Sequence, residues 1–516
     1  VVRMEQLGIN TSISWILGIT ACILAYMYST WTYDHFRKIG ISGPTPWPLL
    51  GNLVTLWCKG LRQFMFDAHK KYGPVFGMFE GRKPMLFVKD TEMLKQILVK
   101  EFATFTNRRG LIQDVTLQNS LPNLKDDAWR RVRTQMTPAF SSGKLKQMNL
   151  AINDSADIMV TNMIDQSKSG DVDIKRVTNA FTMDVICRTV FGIRVDSQKN
   201  PDNPLVKNAM DMAKNFSLIK ILLAVAFPRM TSFLQRNFSV HLFPRKALDF
   251  FSRIADETIT YRQKADKTQV DMMYLMLKAN EIEPDTADIE GDNVIGFKYE
   301  SAAKGKKGMS KSELLSNSVI FFLAGSETTA STLAYLLYSL ATNQEVHKHV
   351  TNEIDEVVGN ETVITPTMTT NLVYLDRVIH EVLRLYPLAL ASNRVCTKDI
   401  EIKGVKIQKG TIVSIPIYAL HHDASHWPDP EKFDPDRFLP EATAQRDPLT
   451  WIPFGFGPRI CIGMRLALTE IKIAAAKLLQ KFSFQTCEQT EIPMKFKKSF
   501  ILSTVNPIML KVEQRQ

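Results

Sequence analysis

Residues 454–463 read Phe454-Gly455-Phe456-Gly457-Pro458-Arg459-Ile460-Cys461-Ile462-Gly463 and place one cysteine in a glycine-bounded turn. Apolar residues recur with helical spacing from Met464 to Leu478, so we expect a helix directly after the turn. Gly457 and Gly463 can adopt backbone angles that other residues avoid, which would let the turn fold tightly around the sulfur. A helix N-terminus lowers a thiol pKa, so the pattern predicts a thiolate at Cys461.

A lone cysteine is more often a buried structural residue than a ligand, because Cys is among the most buried residue types. Here the surroundings favour a metal ligand instead. A single axial thiolate is the ligand that pushes electron density into a haem iron and leaves the opposite face open for oxygen. The run fits the pattern F-x-x-G-x-R-x-C-x-G at every fixed position. It therefore resembles the haem-binding loop of the cytochrome P-450 family. The resemblance implies that Cys461 is the metal ligand and that Phe454, Arg459 and Gly463 contact the haem.

The composition limits the classes of protein to which the chain can belong. With 516 residues, of which 45% are hydrophobic, it can bury a large core. Its six cysteines include no C-x-x-C pair, so the ligands of a zinc knuckle or an iron-sulfur cluster are missing. The net charge of +11 suits anionic lipid, an acidic protein partner or simply a basic soluble surface. Nucleic acid is not expected as a partner, because the basic residues are dispersed.

The N-terminal segment Ile13–Trp31 carries no charged residue. As a helix it would cross about 28 Å of hydrocarbon. A cleaved signal peptide is the alternative, but the apolar stretch is long and no clear small-residue cleavage site follows it. Arg37 and Lys38 predict that the chain after the anchor lies in the cytosol, although Arg3 weakly opposes this orientation.

A proline-rich segment follows the anchor. Gly43-Pro44-Thr45-Pro46-Trp47-Pro48 restricts the backbone to extended conformations, and we expect a stiff spacer that separates the membrane from the body. The predicted domains are a membrane anchor at 1–32, a proline-rich hinge at 33–50 and a haem-thiolate catalytic domain at 51–516.

Two later segments differ from the rest of the body. Residues 216–227 are almost wholly apolar, and further apolar residues continue to Phe243. This segment is too short to cross a bilayer, so it is either a buried core helix or a lipophilic lid that touches the membrane. Residues 281–308 carry acids first and lysines later, with few apolar residues, and we expect a mobile surface loop.

A long buried helix is predicted to begin at the capping-box sequence Ser310-Lys311-Ser312-Glu313 and to run to about Thr342. Ala324 and Gly325 would let a flat cofactor or oxygen approach its backbone. The Thr328 hydroxyl can compete for the Ala324 carbonyl and open the helix locally, leaving room for water. By themselves these residues would suggest a buried polar patch. Beside the cysteine loop, Glu327 and Thr328 resemble the family's acid-alcohol pair, which relays protons to dioxygen.

Glu381 and Arg384 lie three residues apart on one helical face, and Pro435-Asp436-Arg437-Phe438 supplies another arginine. These sequences resemble the family's E-x-x-R and P-x-R-F elements, which implies a structural network of Glu381, Arg384 and Arg437 without a chemical role. The adjacent His421 and His422 suggest a second metal site, but the sequence around them resembles an ordinary segment of the family.

Arginine suits carboxylates because its planar fork can bond both oxygens. Solvated surface charge is the default interpretation for any single arginine. The resemblance instead implies that four arginines pair with the haem propionates and that two further residues contact the cofactor. These residues are Arg108, Arg133, Arg394 and Arg459, with Trp129 and Ala324.

The resemblance covers nearly the whole chain and is closest to the family 3, subfamily A branch. Phe105-Thr106-Asn107-Arg108-Arg109, Phe140-Ser141-Ser142-Gly143-Lys144-Leu145 and Trp451-Ile452-Pro453-Phe454-Gly455 carry this closer likeness. It implies a mainly α fold with a small β-rich part, the cytochrome P-450 fold, preceded by the transmembrane helix. It also implies a substrate pocket lined by Leu111, Leu323, Ala324, Leu388, Ala389 and Leu390.

The function implied by the resemblance is a haem-thiolate monooxygenase. It would carry heme b with an axial cysteine thiolate and insert one atom of O2 into lipophilic substrates such as xenobiotics and steroids. Its electrons would come from NADPH through NADPH-cytochrome P-450 reductase, with cytochrome b5 as a further partner. The enzyme would lie in the endoplasmic reticulum membrane with its catalytic domain facing the cytosol.

Two other functions remain open. A thromboxane-synthase-like relative rearranges a peroxide without activating oxygen, and the presence of Glu327 and Thr328 argues against it. A haem-thiolate sensor or binding protein would perform no turnover. The segments at 216–243 and 281–308 depart from the usual sequence of the branch, so the sequence does not identify the substrate.

Overall fold

The computed structural model of the chain describes residues 2–110, 116–195, 197–200, 203–214, 218–227, 230–231, 233–234, 237, 243–264, 271–279 and 308–515. Helices predominate in these residues, and the strands form three small sheets. The prediction of a mainly α fold with a small β-rich part is confirmed.

The described α-helices before residue 280 are α1 Val2–Thr30, α2 His35–Lys38, α3 Leu53–Tyr72, α4 Thr91–Lys95, α5 Asp126–Met136, α6 Ser142–Ser167, α7 Ile174–Val190, α8 Pro204–Lys214, α9 Leu218–Ala226, α10 Arg245–Lys264 and α11 Met272–Ala279. Those after residue 307 are α12 Lys311–Thr342, α13 Gln344–Val357, α14 Pro366–Asn371, α15 Val373–Leu385, α16 Ile417–His421, α17 Pro440–Ala444 and α18 Met464–Lys481. Short helical turns of other types cover Trp31–Asp34, Gln96–Lys100, Thr137–Phe140, Pro435–Phe438, Pro448–Thr450 and Gly457–Arg459.

The strands are β1 Val75–Glu80, β2 Lys83–Val88, β3 Val172–Asp173, β4 Ser392–Val395, β5 Ile400–Ile402, β6 Val405–Ile407, β7 Ile412–Ile415, β8 Phe482–Gln485 and β9 Met509–Gln514. The largest sheet has the order β1-β2-β7-β4, in which β2 and β7 are parallel and the other pairs antiparallel. The other sheets are β3-β9-β8 and the hairpin β5-β6. In the sequence, strand-like apolar runs flank Glu80-Gly81-Arg82 and Gly404 and predict two hairpins, which β1-β2 and β5-β6 confirm.

Helix α12 lies at the centre of the body. Its start at the capping box is confirmed, because the Ser310 hydroxyl accepts from the Glu313 N–H and the Glu313 carboxylate accepts from the Ser310 N–H. Its second half is buried on every side, from Thr329 to Ala341, against α7 and other helices. A helix that is apolar all round belongs in a core or a membrane. Here its buried side chains identify it as the core helix.

Among the described residues, two segments are long and apolar enough to cross a membrane, Ile13–Lys38 and Lys311–Thr342. The second is α12, which the body surrounds. In the first, the described side chains between Ile13 and Tyr28 are exposed, as a lipid-facing helix requires. The predicted anchor therefore forms a helix.

The segment after the anchor packs against the body, which differs from the expected spacer. The Phe36 ring is buried against Gly77 in β1, where a Cβ atom would lie 2.3 Å from that ring. The Tyr33 hydroxyl donates to the Trp47 carbonyl at 2.7 Å and accepts from the Gly51 N–H at 3.1 Å. Apolar and hydrogen-bonded contacts thus join this segment to β1 and the proline turn, an arrangement that proline content alone does not reveal.

The apolar segment after residue 215 is only partly described. In α9, Ile221 and Leu222 are buried while Leu223 is exposed, and Phe233 farther along is also exposed. The segment therefore combines buried and exposed apolar residues, so neither expectation for it is excluded. The predicted surface loop at 281–308 lies outside the described residues except for Gly308.

Candidate functional site

The cysteine turn is a tight loop held by backbone contacts. Gly455 and Gly457 have φ of +79° and +74°, values that favour glycine. A Cβ atom on Gly457 would lie 2.4 Å from the Leu98 carbonyl oxygen, so a side chain cannot fit there. Gly463 differs from the prediction, because its φ of −88° is open to any residue. The positions that require glycine therefore lie at the start of the loop, before Cys461.

Cys461 directly precedes the first turn of α18. Its N–H donates to the Phe454 carbonyl at 2.9 Å, and the Gly463 backbone favours the thiolate. Burial nevertheless raises the thiol pKa, an effect that outweighs the Gly463 backbone and the charges of Arg133 and Arg108. The predicted lowering of the pKa is therefore wrong for the protein chain alone. At Cys461 the helix terminus lowers the thiol pKa by less than dense packing raises it.

Cys461 has solvent-accessible surface, although the atoms around it are dense enough for burial to raise its pKa. Cys461 is therefore enclosed by dense protein and still open to contact with a ligand. A metal ion would stabilise the thiolate, because a coordinating thiol loses its proton.

Four arginines converge beside this sulfur. The guanidinium Nε atoms of all four are buried without a hydrogen-bond partner, and none of the four forms an ion pair with a carboxylate in the described part of the chain. They are Arg108, Arg133, Arg394 and Arg459.

Mutual repulsion and burial act on these arginines. Burial and the charges of Arg108 and Arg459 hold the pKa of Arg394 well below its usual range. Burial, Arg108 and Arg133 lower the pKa of Arg459 to about 9. A buried cationic cluster of this kind requires anions. The residues therefore fit a ligand with two carboxylates, such as the propionates of a haem.

Three of the proposed cofactor contacts have defined positions in this cluster. The Arg108 Nη2 donates to the Arg459 carbonyl at 2.8 Å, and the Arg459 Nη2 donates to the Leu124 carbonyl at 2.8 Å. The Arg459 guanidinium also lies over the Trp129 ring, 4.3 Å from its centroid. Trp129 and Arg133 both lie on α5, so that helix contributes an aromatic face and a cation to one site.

The middle of α12 presents small and polar side chains. Ala324 is exposed within a helix that is otherwise largely buried, and the Thr328 hydroxyl donates to the Ala324 carbonyl at 2.7 Å. The predicted hydrogen bond is present, but the predicted local opening is not, because α12 continues unbroken through this point. Gly325 does not face a cofactor as expected. A Cβ atom there would lie 2.5 Å from Ile186 in α7, so close helix packing explains this glycine.

Glu327 has partners that the sequence did not suggest. Its carboxylate forms an ion pair with Lys175 at the start of α7, with 2.9 Å between Nζ and Oε1. The same oxygen accepts from the Ser331 hydroxyl at 3.3 Å. The Thr182 hydroxyl, also in α7, donates to the Ser326 carbonyl at 2.9 Å. Sequence patterns miss Lys175 because it is distant along the chain and belongs to no local motif.

Glu381, Arg384 and Arg437 lie together, as the resemblance implied. Arg384 donates to both oxygens of Glu381 at 2.6 and 2.7 Å, with both side chains fully buried. Arg437 Nε lies 3.5 Å from Glu381 Oε1. Arg384 Nη1 also donates to the carbonyls of His421 and Pro430 at 3.0 and 2.8 Å. The cluster therefore joins α15 to three later segments.

The adjacent histidines bind backbone groups. The His421 ring accepts from the Ile452 N–H at 2.9 Å, and the His422 ring lies 2.9 Å from the Tyr418 carbonyl. Among the described residues, no group of three or more His, Cys, Asp or Glu could hold a metal ion.

The residues of the predicted substrate pocket differ in exposure. Leu323 and Leu388 are half-buried, and Ala324 and Ala389 are exposed. Leu111 lies outside the described residues. The Leu390 side chain is buried in the main core, and its carbonyl accepts from the Tyr418 N–H. The pocket as a whole stays a prediction.

Residues 41–512 match the family model for Cytochrome P450. The chain belongs to the cytochrome P450 family. Cytochrome P450 3A11 of Mus musculus is 40% identical over 507 residues, and the alignment covers 97% of each chain. Cytochrome P450 3A17 of Cavia porcellus is 38% identical and Cytochrome P450 3A7 of Homo sapiens 39% identical, each with 97% coverage of both chains. These matches confirm the resemblance to the subfamily A branch.

Family membership establishes several of the predictions. The fold is the cytochrome P450 fold, and the protein is an oxidoreductase of the monooxygenase type. The family implies haem with a cysteine thiolate ligand and O2 as co-substrate. The cationic cluster beside Cys461 fits this cofactor chemically.

Proposed function

We propose that this cytochrome P450 binds haem through Cys461 and oxidises lipophilic substrates, including xenobiotics and steroids. The observation that carries the assignment is Cys461 itself, which is exposed in a glycine-constrained loop beside arginines whose Nε atoms are buried. The haem, held by the Cys461 thiolate, would supply the activation of O2. The remaining steps that we assign belong to side chains of this chain.

Arg108, Arg133, Arg394 and Arg459 would hold the cofactor through its propionates. Their cationic groups are buried and lack carboxylate partners among the described residues, so each gains a charge-assisted hydrogen bond when an anion binds. Trp129 stacks under Arg459 and fixes the direction of that guanidinium. Phe454, Gly463 and Ala324 would contact the cofactor faces.

Glu327 and Thr328 would move protons on the opposite face. While the Thr328 hydroxyl donates to the Ala324 carbonyl, its oxygen keeps free lone pairs, so it can accept a hydrogen bond from a water and hold that water as the proton carrier. The Glu327 carboxylate is half-exposed, so solvent can replenish its proton. The ion pair with Lys175 determines the position of this carboxylate.

The partners and the location follow from the family branch and the anchor. We propose NADPH-cytochrome P-450 reductase as the electron donor and cytochrome b5 as a second partner, with the basic surface favouring acidic partners. The exposed apolar part of α1 from Ile13 to Tyr28 supports a single N-terminal anchor. Arg37 and Lys38 support a catalytic domain that faces the cytosol from the endoplasmic reticulum membrane. The 3A relatives support the substrate class.

The experiment uses purified full-length protein, purified reductase and NADPH with a panel of steroids, fatty acids and drug-like compounds. A monooxygenase forms oxygenated product only with NADPH. Product formed from a peroxide without NADPH would instead identify a peroxide isomerase. Ligand-induced haem spectral shifts without any product would identify a sensor or binding protein.

Thr328→Ala tests the proton relay. General acid-base catalysis contributes about 10²- to 10⁴-fold, so product formation should fall severely where protonation limits turnover. The thiolate spectrum and electron uptake should persist, while a larger share of NADPH yields hydrogen peroxide. The measurement is the ratio of product to NADPH consumed, with Thr332→Ala as a control, because its hydroxyl bonds the Thr328 carbonyl one turn later. An unchanged ratio in Thr328→Ala would remove that residue from the relay.

A further inference from the structure

The two residues that lead into the cysteine loop form contacts with histidines from other segments. The Trp451 indole donates to the His380 carbonyl at 3.2 Å, and its ring stacks on the His380 ring at 4.5 Å. The Ile452 N–H donates to the His421 Nε2 at 2.9 Å. Side chains from other segments therefore determine the position of the peptide at which the loop starts.

His421 connects this peptide to the E-x-x-R pair. It lies at the end of α16, is fully buried, and accepts at its carbonyl from Arg384 Nη1 at 3.0 Å. Its ring accepts from the Ile452 N–H. One residue thus bonds to Arg384 through its backbone and to the loop through its side chain.

The hydrogen bonds continue from Ile452 toward the sulfur. The Ile452 carbonyl accepts from the Gly455 N–H at 2.9 Å. The Phe454 carbonyl accepts from the Cys461 N–H, also at 2.9 Å. Because Gly455 has a left-handed backbone, a shift of Ile452 would change the turn that delivers Phe454 to Cys461.

The His421 ring must be neutral to accept at Nε2. Burial, followed by the charges of His422 and Arg384, holds the pKa of His421 well below its usual range. The backbone of Arg384 and Leu383 opposes this effect on the pKa, and the Nδ1 atom is buried without a hydrogen-bond partner. The ring therefore carries its proton on Nδ1 and keeps Nε2 as an acceptor.

We propose that His421 is a positioning residue for Cys461, whose imidazole acceptor fixes the start of the cysteine loop relative to the E-x-x-R pair. This inference rests on the proposed role of Cys461 as the haem ligand. Without the acceptor, the buried Ile452 N–H would be unpaired, and the sulfur would leave its position more readily.

The adjacent His422 provides a matched control. It is also buried, but its Nδ1 lies 2.9 Å from the Tyr418 carbonyl within the same helical turn, and its ring stacks on Tyr418 at 3.9 Å. In the described part of the chain, no hydrogen bond joins the His422 ring to the loop. The two histidines thus have similar burial and different connections.

The test uses haem-loaded, full-length protein with His421→Phe, His421→Gln and His422→Gln. Phenylalanine keeps a ring but removes the acceptor, whereas the glutamine carbonyl can accept near the original Nε2 position. The readout is the rate at which the red-shifted Soret band of the reduced carbon monoxide complex converts to the shorter-wavelength band of a displaced thiolate under mild heating.

We expect His421→Phe to convert about tenfold faster than the wild type, a factor equal to about 1.4 kcal/mol and within the cost of an unpaired buried N–H. His421→Gln and His422→Gln should stay within about threefold of the wild type, since both keep the Ile452 bond. Equal rates for His421→Phe and His421→Gln would overturn the proposal. A wild-type protein that never shows the red-shifted band would instead contradict the role of Cys461.

Hydrogen exchange in the wild type provides a second measurement that does not depend on the folding of a variant. The Ile452 amide should exchange as slowly as core amides, because its bond opens only when His421 moves. Fast exchange in the peptide that contains Ile452, with slow exchange in α18, would contradict the proposal.

Discussion

The cysteine side of this cytochrome P450 differs from its central-helix side in how polar groups are satisfied. We define the cysteine side as Glu381, Arg384 and residues 451–463, and the central-helix side as residues 324–328 of α12. On the cysteine side, fully buried side chains bond to distant segments. On the central-helix side, Thr328 bonds within its own helix and Glu327 remains half-exposed. The first arrangement suits a fixed ligand, and the second suits protons that must move.

The largest effect should come from Arg384→Met on the cysteine side. Burial raises the pKa of Glu381, and Arg384 opposes this by bonding both carboxylate oxygens. Removal of one partner from a buried pair costs about 3–5 kcal/mol. We expect a free energy of unfolding lower by about that amount and poor haem retention, measured by denaturant titration and haem content.

Arg377→Met is the control, because Arg377 lies on the same helix and pairs with the largely exposed Asp436 at 3.3 Å. An exposed pair contributes about 0–1 kcal/mol. Similar losses in the two variants would mean that burial does not distinguish the cysteine side.

A smaller loss is expected from Gly457→Ala. Its Cβ atom would meet the Leu98 carbonyl at 2.4 Å, whereas a Cβ atom on Gly455 would have no neighbour within 4 Å, although both glycines have positive φ. Gly455→Ala should therefore cost about 1 kcal/mol for its backbone conformation alone. We expect Gly457→Ala to cost about 1–3 kcal/mol more, as overpacking does, and to release haem faster. Equal thermal stabilities of the two variants would contradict the close approach at Gly457.

The smallest change in stability is expected on the central-helix side, from Lys175→Met. The ion pair with Glu327 is partly exposed, so its loss should change the unfolding free energy by less than about 1 kcal/mol. The product formed per NADPH should fall about fivefold, the factor for about 1 kcal/mol of lost positioning. Lys175→Arg should restore the ratio. A large loss of haem content in Lys175→Met would place Lys175 in the packing rather than in proton delivery.

The sequence predicted the features that local patterns encode. The capping box located the start of α12, apolar runs on either side of Glu80-Gly81-Arg82 located β1 and β2, and one motif located the cysteine loop. Trp129 and Arg133 are four residues apart, a spacing that predicts one helical face, and both lie on α5. These features depend on residues close together in the chain, so their spacing is visible before folding.

Other features depend on the relative position of distant segments. Gly325 packs against Ile186, and Lys175 pairs with Glu327 across two helices. The thiol pKa of Cys461 rises because packing density, which the sequence does not give, outweighs the helix terminus. Likewise, the contact of Phe36 with Gly77 joins residues on either side of the proline segment.

The most direct test of the central claim is the reduced carbon monoxide spectrum of Cys461→Ser. Only a thiolate ligand gives the red-shifted Soret band, and Cys461 alone among the cysteines lies in the glycine-constrained loop beside the buried arginines. Cys487→Ser serves as the control, because Cys487 contacts Thr490 in a different part of the fold. We predict that Cys461→Ser abolishes the red-shifted band while Cys487→Ser retains it. Persistence of the band in Cys461→Ser would contradict the assignment of the haem ligand.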